Sequence, residues 1–270
     1  MPNWVQTDIF FHGEKENIRK VLETIKSEES EFDFNKLIPM SKTLNLPAGL
    51  CDDKSMQYAI SKKSPLEQAQ LKSVLVNAQA DYYGNYFKKI YARQYTEEEL
   101  EEYAKDFEEK LGKTETDMFD STDYDGLGIK TFEDLGNMYL YNICTYGCDT
   151  WYDWHCKHWG TKWNACEVCI GENVISFQTA WSVADPILEA LAYLCDQYDV
   201  TFDGEYADED RGHNSGHICS ENGITEYEDN SQEALKAYLE LWGECECIGT
   251  DENGNLISYT CDTCPNKCYS

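Results

Sequence analysis

"NVISFQTAWS", residues 173–182, alternates apolar and polar side chains and is rich in β-branched and aromatic residues, the pattern of a strand with one buried face. Its neighbours decide what kind of sheet it joins. Asp185 suits an N-cap and Pro186 the first helical position, and Ile187, Leu188, Leu191 and Leu194 then share one helical face. "DVTFDGEYAD", residues 199–208, follows as another strand. At the start of the chain, "WVQTDIFFHG" (4–13) is apolar and β-prone up to Gly13, and residues 14–27 place Ile18, Val21, Leu22 and Ile25 at helical spacing. "EFDFNKLIPM" (31–40) then alternates Phe32, Phe34 and Leu37 before Pro39, which predicts a second extended segment.

These segments run strand, helix, strand, strand, helix, strand. That order predicts an α+β fold, a ferredoxin-like antiparallel sheet with helices on one face. Further on, "GHICS" and "ITEYE" flank "ENG", a hairpin signal, and Asn230 with Glu233 is expected to cap a last helix carrying Leu235, Leu239 and Trp242.

Between the two halves of this pattern the chain changes character. Residues 41–147 contain the helix-forming stretches "SPLEQAQLKSVLVNAQADYYGNYFKKIYARQ", "TEEELEEYAKDFEEKLG" and "TFEDLGNMYLYNICTYG", with Thr96 and Glu99 opening the middle helix and Gly112 closing it. The expected organisation is a discontinuous ferredoxin-like domain over 1–40 and 148–230, a large helical insertion over 41–147, and a C-terminal helix with a Cys-rich extension over 231–270.

Charge narrows the function. The 270 residues hold 22 Lys and Arg against 51 Asp and Glu, a formal charge of −29. Such a field disfavours direct binding to long nucleic acids or anionic membranes and favours partners with basic surfaces, though solubility alone could also account for it. Two stretches concentrate the acids: residues 97–125 hold thirteen against three lysines, and residues 196–230 hold eleven against one arginine. No early segment reads as a signal peptide and no apolar run is long enough to span a membrane, so the host cytoplasm is the expected compartment and the thirteen cysteines are expected reduced.

"WYDWHCKHWGTKWNA" (151–165) packs four tryptophans into fifteen positions. Trp151, Trp154, Trp159 and Trp163 are spaced so that roughly one helical face could hold most of them, and an aromatic core is the default reading. The alternative is a binding platform for a small ligand such as a nucleotide, drawing on Trp151, Asp153, Trp154, His155, Trp159, Lys162, Trp163, Asn164 and Trp181. Cys156 between His155 and His158 does not make a nucleophile, because a base and an oxyanion donor must be placed in space, and no catalytic residue is assigned. Cys166 and Cys169 with one of those histidines lack the second pair of a zinc ribbon, and His213 and His217 read as solvent-facing. In the tail, Cys245, Cys247, Cys261, Cys264 and Cys268 form two close groups joined by a Gly-, Asp- and Asn-rich connection, so a structural zinc is the candidate cofactor. Taking Gly126 as the sixth position of a calcium loop would put Ser121 first and Phe132 twelfth, which rejects an EF-hand. No Walker loop, dinucleotide fingerprint, HExxH or serine elbow is present.

Several blocks together resemble a known family. "MPNW", "FDFNKLIPM", "WYDWHCKHWGTKWNA", "FQTAWS" with Pro186 beyond it, and "FDGEYADED" with its following glycine resemble, in order, the YubB ferredoxin-like family of bacteriophage and plasmid proteins. The resemblance implies a ferredoxin-like topology, without an iron–sulfur cluster, on a mobile genetic element; it carries no established activity and does not extend to the insertion or the tail. The resulting expectation is a non-enzymatic phage or mobile-element protein that engages a host protein through acidic surfaces, with anti-defence as one use. The alternatives are a small-ligand binder or enzyme built on the tryptophan stretch, and a structural part of a larger assembly.

Overall fold

The structure is a computed structural model and describes residues 3–49, 52–80, 84–111 and 123–259. It divides into two units, Met1–Pro39 with His158–Ser270, and Met40–Lys157. In chain order the first unit opens with β1 (Trp4–His12) and α1 (Lys15–Ile25). The second contains α2 (Asp52–Ser61), α3 (Pro65–Asn77), the short strands β2 (Gln79–Ala80) and β3 (Gly84–Asn85), α4 (Tyr86–Ile90), α5 (Glu97–Lys110) and α6 (Phe132–Tyr146). Helix α7 (Trp151–His158) ends at the unit boundary. The first unit then resumes with β4 (Cys166–Ile170), β5 (Val174–Ala180), α8 (Asp185–Asp196), β6 (Thr201–Asp208), β7 (Ser215–Cys219), β8 (Gly223–Glu226), α9 (Gln232–Trp242), β9 (Ile248–Thr250) and β10 (Leu256–Ser258).

Six strands form one sheet in the order β4-β5-β1-β6-β7-β8, and every pairing is antiparallel. β1, α1, β4, β5, α8 and β6 trace two interleaved β-α-β halves with β1 and β5 central, which is the ferredoxin-like arrangement. Alternation explains which face is buried. Val5, Ile9 and Phe11 of β1, Ile175 and Phe177 of β5, and Phe202 and Tyr206 of β6 are buried, together with Ile18, Val21 and Ile25 of α1 and Ile187, Leu188 and Leu191 of α8. Opposite residues such as Gln6, Asp8, Ser176 and Glu205 stay partly exposed on the second face. At Gly204 the backbones of β6 and β1 come so close that a Cβ would lie 2.0 Å from the Asp8 carbonyl oxygen.

Three expectations need correction. Residues 31–40 do not supply the second strand; they fold into a short 3-10 turn at Phe34–Lys36, capped by Asp33, whose carboxylate accepts from the Asn35 N–H. Phe32 and Phe34 are both fully buried, so the alternation that suggests a strand reflects two rings inserted from a loop. Cys166–Ile170 takes the strand's place, pairing with β5 through an irregular register. The caps of two helices also differ. Ala184 precedes α8, which begins at Asp185, and Ser231 rather than Asn230 caps α9, accepting from the Ala234 N–H while Asn230 adopts a left-handed φ of 57°.

In the second unit, α2 packs on α6 around a core that includes Met56, Ala59, Ile60, Phe132, Leu135, Tyr139 and Ile143. Gly136 permits this contact, since a Cβ there would lie 2.0 Å from the Ser55 carbonyl oxygen. Thr96 and Glu99 form the expected capping box of α5, and the expected C-cap Gly112 lies outside the described residues. A buried charged cluster joins α2, α4 and the start of α7. Lys89 Nζ lies 2.6 Å from Asp149 Oδ2, 3.4 Å from Asp153 Oδ2 and 3.9 Å from Asp52 Oδ2. The Tyr86 hydroxyl donates to Asp153 at 3.1 Å and accepts from the Asp149 N–H at 3.2 Å. Burial, with the Asp153 and Asp52 charges adding to it, outweighs Lys89 and holds the Asp149 carboxyl above the ordinary carboxylate range. Burial also works against the Lys89 charge, but the three carboxylates outweigh it and raise its pKa.

Candidate functional site

The tryptophan stretch does not form one helical face. α7 stops at His158, and Gly160 follows with φ +75°, so the aromatic residues divide between the two units. In the helical unit Trp154 and His155 are buried, Trp151 is half-buried with its ring 5.4 Å from His155, and Asp153 belongs to the Lys89 cluster. In the sheet unit Trp159 is enclosed: its ring meets Phe34 edge-on at 5.6 Å and its indole N–H donates to the Ile38 carbonyl at 2.9 Å. Asn164 is a positioning residue, accepting from the Phe34 N–H and donating to Asp33. Lys162 and Trp163 come together, with Nζ 4.5 Å from the ring centroid, and Trp163 lies 5.9 Å from Trp4.

Trp181 is different. Its indole is 56% exposed and its backbone sits at φ +72°, a left-handed conformation that a bulky residue adopts at a cost of about 1–2 kcal/mol. Hydrogen bonds hold it there. The Trp181 N–H donates to the Asn3 carbonyl at 2.9 Å, and Asn214 Nδ2 donates to the Trp181 carbonyl at 3.3 Å. Asn214 is itself left-handed, at φ 42°. Both asparagines converge on the buried Asp208 carboxylate, Asn3 at 3.3 Å and Asn214 at 3.0 Å, and the Asp210 N–H donates to it at 2.8 Å. The carboxylate therefore organises the turn after β6, which carries the exposed acids Glu209 and Asp210, and through Asn3 and Asn214 ties that turn to the Trp181 backbone. The Glu209 N–H donates to the Trp4 carbonyl at 2.9 Å, which brings the first strand's start to the same place.

Other acids of residues 196–230 are divided between internal work and solvent. Asp203 pairs with His12 at 2.8 Å and Asp229 with His213 at 3.0 Å, while Glu205 accepts from the Tyr227 hydroxyl at 2.9 Å. Burial first, then that bond to Glu205, pushes the Tyr227 hydroxyl up to about 12. His217 lies directly opposite Glu205 on β7 and is half-buried. On the helical unit, Glu97, Glu98, Glu101 and Glu102 of α5 line a shallow ledge with Lys105. Glu97 and Glu98 lie in the first turn, where carboxylates favour the positive end of the helix dipole, and Glu101 pairs with Lys62 at 2.7 Å, so part of this row serves the fold.

For the tail, Cys247 is buried and Cys245 half-buried beside the β9–β10 hairpin. Arg211 Nη1 lies 3.7 Å from Cys245 Sγ. Burial works against the Arg211 charge, yet the two sulfurs outweigh it and its pKa is raised. Cys261, Cys264 and Cys268 lie outside the described residues, and among the described residues no three His, Cys, Asp or Glu side chains are grouped to hold a metal ion. Among the described residues no helix is long and apolar enough to cross a membrane.

In the sequence Trp181 is one of nine candidate platform residues at the end of a strand alternation, with nothing to set it apart from the other eight. The signals that distinguish it, a left-handed backbone and the convergence of Asn3, Asp208 and Asn214, join positions about 200 residues apart and leave no local pattern.

Residues 158–246 match the family model described as the ferredoxin-like domain in Api92-like protein. The crystal structure of a protein api92 from Yersinia pseudotuberculosis aligns over 84% of this chain and 99% of that one, with 11% identity and a TM-score of 0.36. No curated protein matches. Residues 158–246, which include Trp181 and its acidic turn, are thus similar to the ferredoxin-like domain of Api92-like proteins, in agreement with the strand order of the sheet.

Proposed function

We propose that the protein is a non-enzymatic binding protein that receives a basic segment of a partner protein at the acidic, tryptophan-anchored face of its sheet unit. The observation that carries this reading is Trp181. A residue kept for packing would be buried, and one kept for the turn would be glycine or asparagine. A large indole held out to solvent on a strained backbone fits neither role, and strain of this kind concentrates at binding sites. Exposed tryptophans are also over-represented among the residues that dominate protein interfaces.

The exposed acids Glu209 and Asp210 belong to the turn that Asp208 ties to the Trp181 backbone, and a Lys or Arg side chain laid on the ring would gain about 0.5–2 kcal/mol from the cation–π contact. The net charge of −29 steers basic partners toward the protein from a distance. The glutamate ledge of α5 offers a second acidic surface for the same class of partner. Resemblance to the YubB-like proteins of phages and plasmids makes a host protein the partner to try first, in particular a defence factor whose own nucleic-acid site would accept carboxylates in place of phosphates. A structural zinc on Cys245, Cys247 and the remaining tail cysteines is part of the same proposal, as a clasp for the extension and not as chemistry.

The test is a titration with a labelled arginine-rich nonapeptide, comparing wild type with Trp181→Ala. The variant keeps the net charge, so attraction by the whole chain cancels. Loss of the cation–π contact is expected to weaken binding by about three- to tenfold. Equal affinities would remove Trp181 from the site and the proposal with it.

A further inference from the structure

The helical unit carries a groove of about 670 Å³, lined by side chains from the end of α2, from α3 and from α4 with the loop after it, among them Gln68, Ala69, Lys72, Phe87, Lys88 and Tyr91. That volume is in the range of sites that enclose a small ligand or a few side chains of a peptide.

Its charge is opposite to that of the chain. Residues 54–93 contain Lys54, Lys62, Lys63, Lys72, Lys88, Lys89 and Arg93 against only Glu67 and Asp81, in a protein of net charge −29. Several of these cations are matched internally: Lys62 by Glu101 at 2.7 Å, Lys89 by Asp149 at 2.6 Å and Arg93 by Glu99 at 3.6 Å. Lys72 and Lys88 are exposed, line the groove, and have no carboxylate partner among the described residues. Charges farther away than the Debye length, about 8 Å at physiological salt, are largely screened, so an occupant feels these lysines more than the distant acids.

The apolar lining comes from Ile60, Phe87 and Tyr91, with Pro65 and Ala69 of α3 beside them. A complete capping box between Ser64 and Glu67, with Pro65 in the first turn, holds this helix in place, yet Leu75 alone among its described residues is buried. Leu66, Val74 and Val76 are 70%, 42% and 45% exposed. Pro65, Gln68, Ala69 and Lys72 line the groove at helical spacing, and Val76 continues that face by one more turn. An ordered helix with apolar side chains in water beside a lysine-lined groove is the form of an uncovered interaction surface.

We infer that this groove docks an acidic peptide segment of a partner protein, with carboxylates on Lys72 and Lys88 and an apolar side chain between α3 and the Phe87 and Tyr91 rings. A nucleotide base is the weaker occupant: Phe87 already packs against Tyr91 at 4.8 Å and carries Lys72 Nζ 5.1 Å from its centroid, so it is not a bare stacking platform. The inference stands apart from the Trp181 reading, since its residues belong to the other unit and its occupant has the opposite charge.

The probe is a fluorescein-labelled octapeptide that alternates paired glutamates with leucine and phenylalanine, titrated at physiological salt into the full chain. Saturable binding is expected, weakened by about five- to tenfold in the Lys72→Gln, Lys88→Gln double variant and restored in the double Lys→Arg variant. Both lysines are exposed and have no carboxylate partner among the described residues, so the variants are expected to melt with the wild type. Three results would overturn the inference: no saturable binding, equal affinity in the double glutamine variant, or displacement of the probe by oligothymidylate at a lower concentration than by unlabelled peptide.

Discussion

At the scale of single residues, the molecule departs from low-cost choices at two sites, and the departures differ in kind. Lys89, itself half-buried, sits among three buried carboxylates, Asp52, Asp149 and Asp153. Removing its charge leaves those carboxylates uncompensated, so Lys89→Met is expected to destabilise the protein by about 3–5 kcal/mol, read from the midpoint of urea denaturation. A change within about 1 kcal/mol would mean that the cluster is hydrated and not structural. Trp181, by contrast, is strained without being buried, and only its exposure and its hydrogen-bonded turn identify it. Buried ionisable groups also set the alkaline limit. Burial pushes the Cys195 thiol up to about 12, and burial with Glu226 and Asp185 nearby does the same for the Tyr206 hydroxyl. Above pH 9 the unfolded chain loses these protons while the native one keeps them, so stability should fall as pH rises from about 9 to about 12. Denaturation midpoints measured across that range check the sign.

At the scale of elements, close backbone approaches fix the packing. In the helical unit the contact of α2 with α6 depends on Gly136, and Gly136→Ala would set a methyl group 2.0 Å from the Ser55 carbonyl. The helices must separate, at an expected cost of about 1–3 kcal/mol or more, measured as a lower thermal midpoint. The same elements show how far sequence reading reaches. β1, β5, β6 and α8 announce themselves by periodicity, since each buries one face. β4 does not, because Cys166–Ile170 is an edge strand with an irregular register and no alternate residue fully buried. Residues 31–40 gave the opposite error: Phe32 and Phe34 alternate correctly, but Asp33 and Asn164 capture the backbone that a strand would pair. Of the candidate site, the tryptophans were visible as a cluster, while their division between core and surface depended on where α7 stops.

At the scale of the whole molecule, charge dominates. A net charge of −29 destabilises the compact state by self-repulsion, so raising sodium chloride from about 0.05 to 0.3 M is expected to raise the thermal midpoint while weakening capture of basic peptides. Chelation and metal analysis of the intact chain address the tail: one zinc per chain, lost in Cys247→Ser, is the expected result if the extension is clasped by metal. The most direct measurement for the central claim uses Trp181→Gly, with thermal stability and arginine-peptide affinity read on the same sample. Glycine relieves the left-handed strain and removes the indole, so stability should hold or rise by up to about 1 kcal/mol while affinity falls by about three- to tenfold. A variant that loses stability and keeps its affinity would contradict the account, because Trp181 would then be serving the fold and not the partner.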